Sequence, residues 1–226
     1  MDQILNSIMV QVTDDVYLKD PLSSELGRKI INQSLFLIAE LGMEGFTFRK
    51  LAERVGSTEG AIYRYFENKH KLLVYLTAWY WGWLEHHLVF YISNLTDPYE
   101  KMRIAIKLLV EGPDTKKNQY LDPEMLIQIV TEESYKSFLT KEVDIENQNG
   151  YFKHFHRLNA RLVTLVKEIN PTYKYPKTLV STLMESTLLH AYFRKHMPMM
   201  TEIGLVGDEK VDFYNELIFK TLKNES

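Results

Sequence analysis

The chain of 226 residues contains no cysteine. Disulfide bridges and thiolate-held zinc or iron–sulfur sites are therefore excluded, and a reducing compartment suits it. Glycine and proline are few, 10 and 7, and sit between periodic stretches, which excludes collagen-like and low-complexity chains. No run is long enough to cross a bilayer. The most apolar stretch, Leu72 to Leu84, contains Thr77 and Gly82 and is bounded by Lys71 and Glu85, whereas a span needs about 20 apolar residues. The first 15 residues hold three aspartates and no basic patch before an apolar run, unlike a secretory signal. The expectation is a soluble, cytoplasmic protein with no membrane partner.

Catalytic signatures are missing too. The sequence has no H-E-x-x-H, no G-x-S-x-G, no P-loop and no G-x-G-x-x-G. On a helix, His154 and His156 would point about 200° apart and cannot chelate one metal. The carboxylates scatter without a paired arrangement opposite a histidine. The chain is expected to be no enzyme and to carry no metal and no cofactor.

Net charge is −3, which taken whole argues against a polyanion partner. Locally it does not. Residues 1–21 form an acidic leader with four acidic side chains and one basic, whereas residues 22–71 carry eight basic and six acidic. A polyanion is expected to meet the 22–71 segment, because phosphate contact is a local matter. The expected division is leader 1–21, a head 22–71 and a larger part 72–226.

Almost everything present has helical period. Ser24 to Leu41 carries Ile31, Leu35, Ile38 and Leu41 on one stripe, with Gly42 as its stop and a left-handed turn at Gly45. Thr47 is placed to cap a short helix to Val55 with Phe48, Leu51, Ala52 and Val55 inward. After Gly56, Thr58 caps a second, to Phe66, with Ile62 and Phe66 inward. Asn68 opens a long helix to about Ile92. Asp97-Pro98 and Asp122-Pro123 each place a cap before proline at the first helical position, for helices to about Val110 and Leu139. Thr140 to Gly150 is expected to be a loop. Helices are expected over 151–169, 175–195 and 208–222. Strand patterns are absent, so the fold class is all-α, with about nine helices.

The helices 47–55 and 58–66, separated by a glycine turn after a longer helix, have the build of a helix-turn-helix. On spacing alone the pair fits a DNA-reading head and a helical corner of an all-α enzyme equally. The residues themselves go further. Ala39-Glu40-Leu41-Gly42, Gly45, Thr47, Arg49, Leu51-Ala52, Gly56, Gly60, Tyr63-x-Tyr65-Phe66 and Lys69 each stand where the DNA-binding segment of tetracycline-repressor-like (TetR) bacterial regulators has them, so residues 26–73 closely resemble that family.

The resemblance implies a homodimeric, ligand-responsive regulator of transcription, a repressor acting on double-stranded DNA at a palindromic operator. It implies phosphate contacts by Tyr63, Tyr65 and Lys69, with Thr47 and Thr58 adding donors at helix N-termini. Base reading would fall to Arg49, Glu59, Gly60, Ala61 and Arg64. Arginine can grip guanine bidentately and glutamate can accept from a cytosine amino group, each discriminating by ~1–3 kcal/mol. The sequence departs from the family at Ala61, at Glu59 and in the acidic leader, where Lys19, Arg28 and Lys29 stand in for a basic arm.

In the family the remaining helices enclose a ligand pocket and dimerise through the last two. Candidates for a small apolar or aromatic-compatible ligand are Tyr75, Trp79, Trp83 and His86 along one helix, with Met102, Tyr135, His154 and His190. Candidates for the dimer interface are Leu179, Leu183 and Leu188 on the penultimate helix and Val211, Tyr214, Ile218 and Leu222 on the last; both stripes would serve equally as core within one subunit. The alternative function is a helical small-molecule-binding protein or enzyme whose head no longer binds DNA.

Overall fold

Capping side chains start most of the helices where the sequence places them. The structure, a computed structural model, describes residues 9–113, 118, 120–202 and 209–223. Among these the helices are α1 (Glu25–Gly45), α2 (Phe48–Val55), α3 (Glu59–Tyr63), α4 (Lys69–Ile92), α5 (Pro98–Glu111), α6 (Pro123–Glu133), α7 (Val143–Gln148), α8 (Lys153–Ile169), α9 (Pro176–His196) and α10 (Glu209–Leu222), with no strand among the described residues. Ser24, Thr47 and Thr58 accept from backbone N–H groups of α1, α2 and α3, and Asp97 and Asp122 do the same before the prolines of α5 and α6. No described helix is long and apolar enough to cross a membrane.

Four expectations change. The positive φ lies at Gly42 (66°) and not at Gly45, so the chain breaks out of α1 there and adds one more turn. Leu41 is exposed rather than part of the buried stripe, because it lies just before that break. The helix opened by Asp122 ends at Glu133, not Leu139. Ser134–Ser137 tighten into a 3-10 turn in which the Ser137 hydroxyl donates to the Ser134 carbonyl. The expected loop 140–150 contains α7, whose one buried side chain is Glu146; a helix that buries a carboxylate shows no apolar stripe. The start of the last helix was expected at Asp208, which lies outside the described residues.

The chain forms two compact units, Met1–Trp83 with Asp114–His154, and Leu84–Pro113 with Phe155–Ser226. They do not follow the expected division at 21 and 71: leader and head share the first unit with α6 and α7. The described leader is not a loose arm. Val10, Val12 and Val16 are buried. The Leu18 N–H donates to the Tyr65 carbonyl at 2.8 Å, the Thr13 hydroxyl to the Gly150 carbonyl at 3.1 Å, and His154 Nε2 bonds the Gln11 carbonyl at 2.9 Å. Within the second unit α10 packs on α5. Buried Glu85 accepts from Arg157 Nε at 3.1 Å and Arg161 Nε at 2.7 Å, and Asn170 donates to the Leu222 carbonyl at 3.2 Å.

Candidate nucleic-acid interface

α2 and α3 are eight and five residues long, too short to be stable alone. Their inner faces hold them. Phe48, Leu51, Ala52, Val55 and Ile62 are buried, and Gly56, left-handed at φ 69°, closes α2 by donating to the Ala52 and Glu53 carbonyls. Arg54 ties α2 back to α1, with Nη1 on Glu40 at 2.9 Å and Nε on Gln33 at 3.1 Å. That link escapes local pattern, since its partners lie 14 and 21 residues away.

The outer face is a polar rim. Thr47, Arg49, Thr58, Glu59, Gly60, Tyr63 and Arg64 are exposed and Ala61 is half-buried. A Cβ at Gly60 would meet nothing within 4 Å, so the backbone there is open to close approach by another molecule. Tyr63 is 46% exposed with its ring edge-on to Phe48 at 5.0 Å, which leaves the phenol end in solvent. Arg49 makes an exposed pair with Glu53 at 3.3 Å.

Tyr65 and Lys69 are placed differently. Tyr65 is 4% exposed, and its hydroxyl shares a hydrogen bond of 2.8 Å with Ser24, the residue that caps α1. Lys69 is half-buried and donates to the Met43 carbonyl at 2.7 Å. Neither stands on the open rim as the resemblance implied. The basic stand-ins are also engaged: Arg28 donates to the Leu22 carbonyl at 2.8 Å and Lys19 lies over the Tyr65 ring at 5.2 Å, while Lys29 is exposed.

The candidate ligand residues divide between the units. Tyr75, Trp79, Trp83, Tyr135 and His154 belong to the first, and His86, Met102 and His190 to the second. Tyr75 is buried edge-on between Phe66 (5.4 Å) and Tyr17 (6.0 Å); burial pushes its phenol well above the ordinary range. It packs beneath the head. His86 is exposed and its neighbour His87 is buried, a correction of one residue, about 100° around the helix. Trp79 and Trp83 are buried with ring centres 6.2 Å apart. The Trp79 Nε1 has no hydrogen-bond partner among the described residues, an omission that costs about 1–3 kcal/mol. His190 is half-buried, bonded to the Tyr214 hydroxyl at 3.2 Å, and beside a cleft of about 270 Å³ whose walls include Met200 and Phe213. No group of three or more metal-ligating side chains occurs among the described residues.

The expected dimer stripe also needs correction. Leu183, Leu188, Tyr214, Ile218 and Leu222 are buried within one subunit, so they serve as core and cannot form an outer face. Leu179 and Val211 are half-buried. The apolar side chains that α9 and α10 turn to solvent are Leu189 and Phe213.

Residues 30–76 match the family of bacterial regulatory proteins, tetR family. The head is thus similar in sequence to the DNA-binding segment of TetR-family regulators. Its segment is 48% identical over 44 residues to the tetracycline repressor protein class C of Escherichia coli, and equally to the class A repressor from transposon 1721 in the same organism. In each case the match covers 20% of this chain and 20% of the repressor, so the chain spans about a fifth of the length of the curated relatives it matches. Across most of the chain the fold resembles AibR solved with isovaleryl coenzyme A and operator DNA, at 18% identity, 86% of this chain, 98% of that one and a TM-score of 0.59. FadR from Bacillus subtilis, solved with stearoyl-CoA, gives 17%, 86%, 96% and 0.57. The architecture is thus an N-terminal helix-turn-helix head followed by a helical part, a fold shared with these solved structures.

Proposed function

We propose that this chain is a ligand-responsive regulator of transcription that binds double-stranded DNA as a homodimer and represses from a palindromic operator. The observation that carries the proposal is the rim of α2 and α3. Seven of its eight candidate residues are exposed while every apolar residue beneath them is buried, which is what a helix needs to enter a major groove. Arg49, Glu59 and Arg64 read bases, Gly60 and Ala61 admit close approach, and Tyr63 with the Thr47 and Thr58 ends of α2 and α3 grips phosphate. Tyr65 holds α3 to the cap of α1. Lys69 reaches phosphate only by leaving the Met43 carbonyl.

Two heads about 34–36 Å apart read successive turns of a duplex, and α9 and α10 supply the pairing face through Leu189 and Phe213. The ligand is apolar or aromatic in part, in keeping with the buried pair Trp79 and Trp83, whose Trp79 N–H would gain an acceptor from it. The acyl-coenzyme A thioesters held by AibR and FadR are the first probes to try. No role in this account calls for catalysis.

Selection from a random duplex pool with the full-length chain tests the proposal. A palindromic sequence should emerge, with Arg49→Ala or Glu59→Gln changing which base is preferred and Tyr63→Phe weakening all duplexes alike. Recovery of no sequence above background would defeat it.

A further inference from the structure

Within the first unit, the end of α1 and the end of α6 meet at a polar knot, with Gly42, Met43, Glu44 and Lys69 inside the family match over 30–76 and Glu133 and Lys136 outside it. At Gly42 the backbone leaves the helix with φ 66° and ψ 169°. That ψ swings the next N–H off the helix axis and strands the Met43 amide from its acceptor four residues back. Glu133, the last residue of α6, meets the need: Oε1 accepts the Met43 N–H at 3.0 Å in a buried contact. Its other oxygen faces Lys136 at 2.8 Å, and Lys136 also reaches Glu44 at 3.2 Å. On the opposite side of the same residue, the Met43 carbonyl accepts from Lys69, which opens α4.

Both polar groups of the Met43 backbone are thus gripped by charged side chains, and charge-assisted hydrogen bonds are the stronger kind. The carboxylate stands at the negative end of the α6 dipole, an unfavourable place that its two partners offset. Glu133, first, and then Glu44 hold the Lys136 ammonium above its ordinary range, against the burial that lowers it. A cleft of about 280 Å³ with Met43, Glu44, Lys69, His70 and Lys136 among its walls opens beside it.

We infer that Glu133 is a positioning residue for duplex binding: by holding the Met43 peptide it sets the angle at which α1 delivers the chain to α2 and α3. The inference rests on the DNA-binding reading above. α1 ends at Gly45, two positions after Met43, and Thr47 then caps α2, so a rotation at Met43 passes directly into the reading helices. A ligand that draws the end of α6 away from Met43 would release this turn, which gives the regulatory part a lever on the head.

The test compares full-length wild type, Glu133→Ala and Glu133→Gln on the duplex that wild type selects, well below the melting temperature. Glu133→Ala should lose on the order of tenfold in affinity, about what one charge-assisted hydrogen bond supplies. Glu133→Gln, which keeps a carbonyl oxygen for the Met43 N–H, should stay within about threefold. Amide exchange at Met43, measured by NMR without DNA, should be about tenfold faster in Glu133→Ala and close to wild type in Glu133→Gln. Equal affinity for wild type and Glu133→Ala overturns the inference, as does equal loss in both variants that tracks a lowered melting temperature. If wild type selects no duplex while Met43 stays protected, the DNA reading has failed and the positioning role with it; the knot then only holds the fold.

Discussion

α2 and α3 place Phe48, Leu51, Ala52, Val55 and Ile62 against the rest of the first unit and leave an outer face of hydroxyls, charges, one phenol and the half-buried Ala61. α9 and α10, with 21 and 14 residues, bury a full stripe inside the second unit and still leave Leu189 (37%) and Phe213 (41%) in solvent. The contrast separates two kinds of surface. The first is mostly polar and suits a polyanion, with only Ala61 and the Tyr63 ring as apolar surface. The second keeps two apolar side chains in solvent after its own core is complete, which the proposed dimer would cover.

The sharpest way to break that contrast is at the core of the head. Ile62→Ala, beneath the rim and fully buried, should cost about 2–5 kcal/mol in thermal or denaturant unfolding and abolish duplex binding. A loss below about 1 kcal/mol would mean that α3 is not held by its inner face. Thr58→Ala comes next: the hydroxyl that accepts from the Ala61 N–H is worth about 1 kcal/mol as a cap, and affinity for every duplex should fall with it. Phe213→Glu should change stability by under about 1 kcal/mol yet shift sedimentation from dimer to monomer. An unchanged dimer would place the pairing face elsewhere.

The smallest expected effect is on pH. Burial, and then the nearby Arg194, hold His190 below its ordinary 6.5. The folded form therefore disfavours the imidazolium, so its contribution is complete above about pH 6.5 and is lost as pH falls. Melting temperature should fall on acidification, and less steeply in His190→Gln. Equal slopes would remove His190 from the account.

What could be read from residues alone was whatever depends on neighbours in the chain. Thr47, Thr58, Asp97 and Asp122 act within three residues of themselves, so their caps are visible in the sequence. The rim of α2 and α3 follows from the same local logic, because a five-residue helix anchored by Ile62 has only one way to turn Glu59, Gly60 and Tyr63. Contacts across the chain left no such trace. Tyr65 was placed on the rim with Tyr63, but its hydroxyl pairs with Ser24, 41 residues earlier. α7 was hidden because its buried residue, Glu146, answers His70 at 2.8 Å rather than an apolar stripe. The leader's burial rests on Gly150 and His154, more than 130 residues away. On α9 and α10 the apolar period was correctly seen, but period alone does not say whether a stripe faces its own core or a second subunit.

One measurement bears most directly on the rim. The full-length chain and the double variant Arg49→Ala/Arg64→Ala are titrated, at one fixed salt concentration, onto the duplex that wild type selects and onto a shuffled duplex of equal composition. Wild type should favour the selected duplex by about a thousandfold or more, and the double variant should bind both duplexes weakly and nearly alike. A wild-type chain that cannot tell the two duplexes apart, or a double variant that discriminates as well as wild type, would contradict the claim that this rim reads DNA.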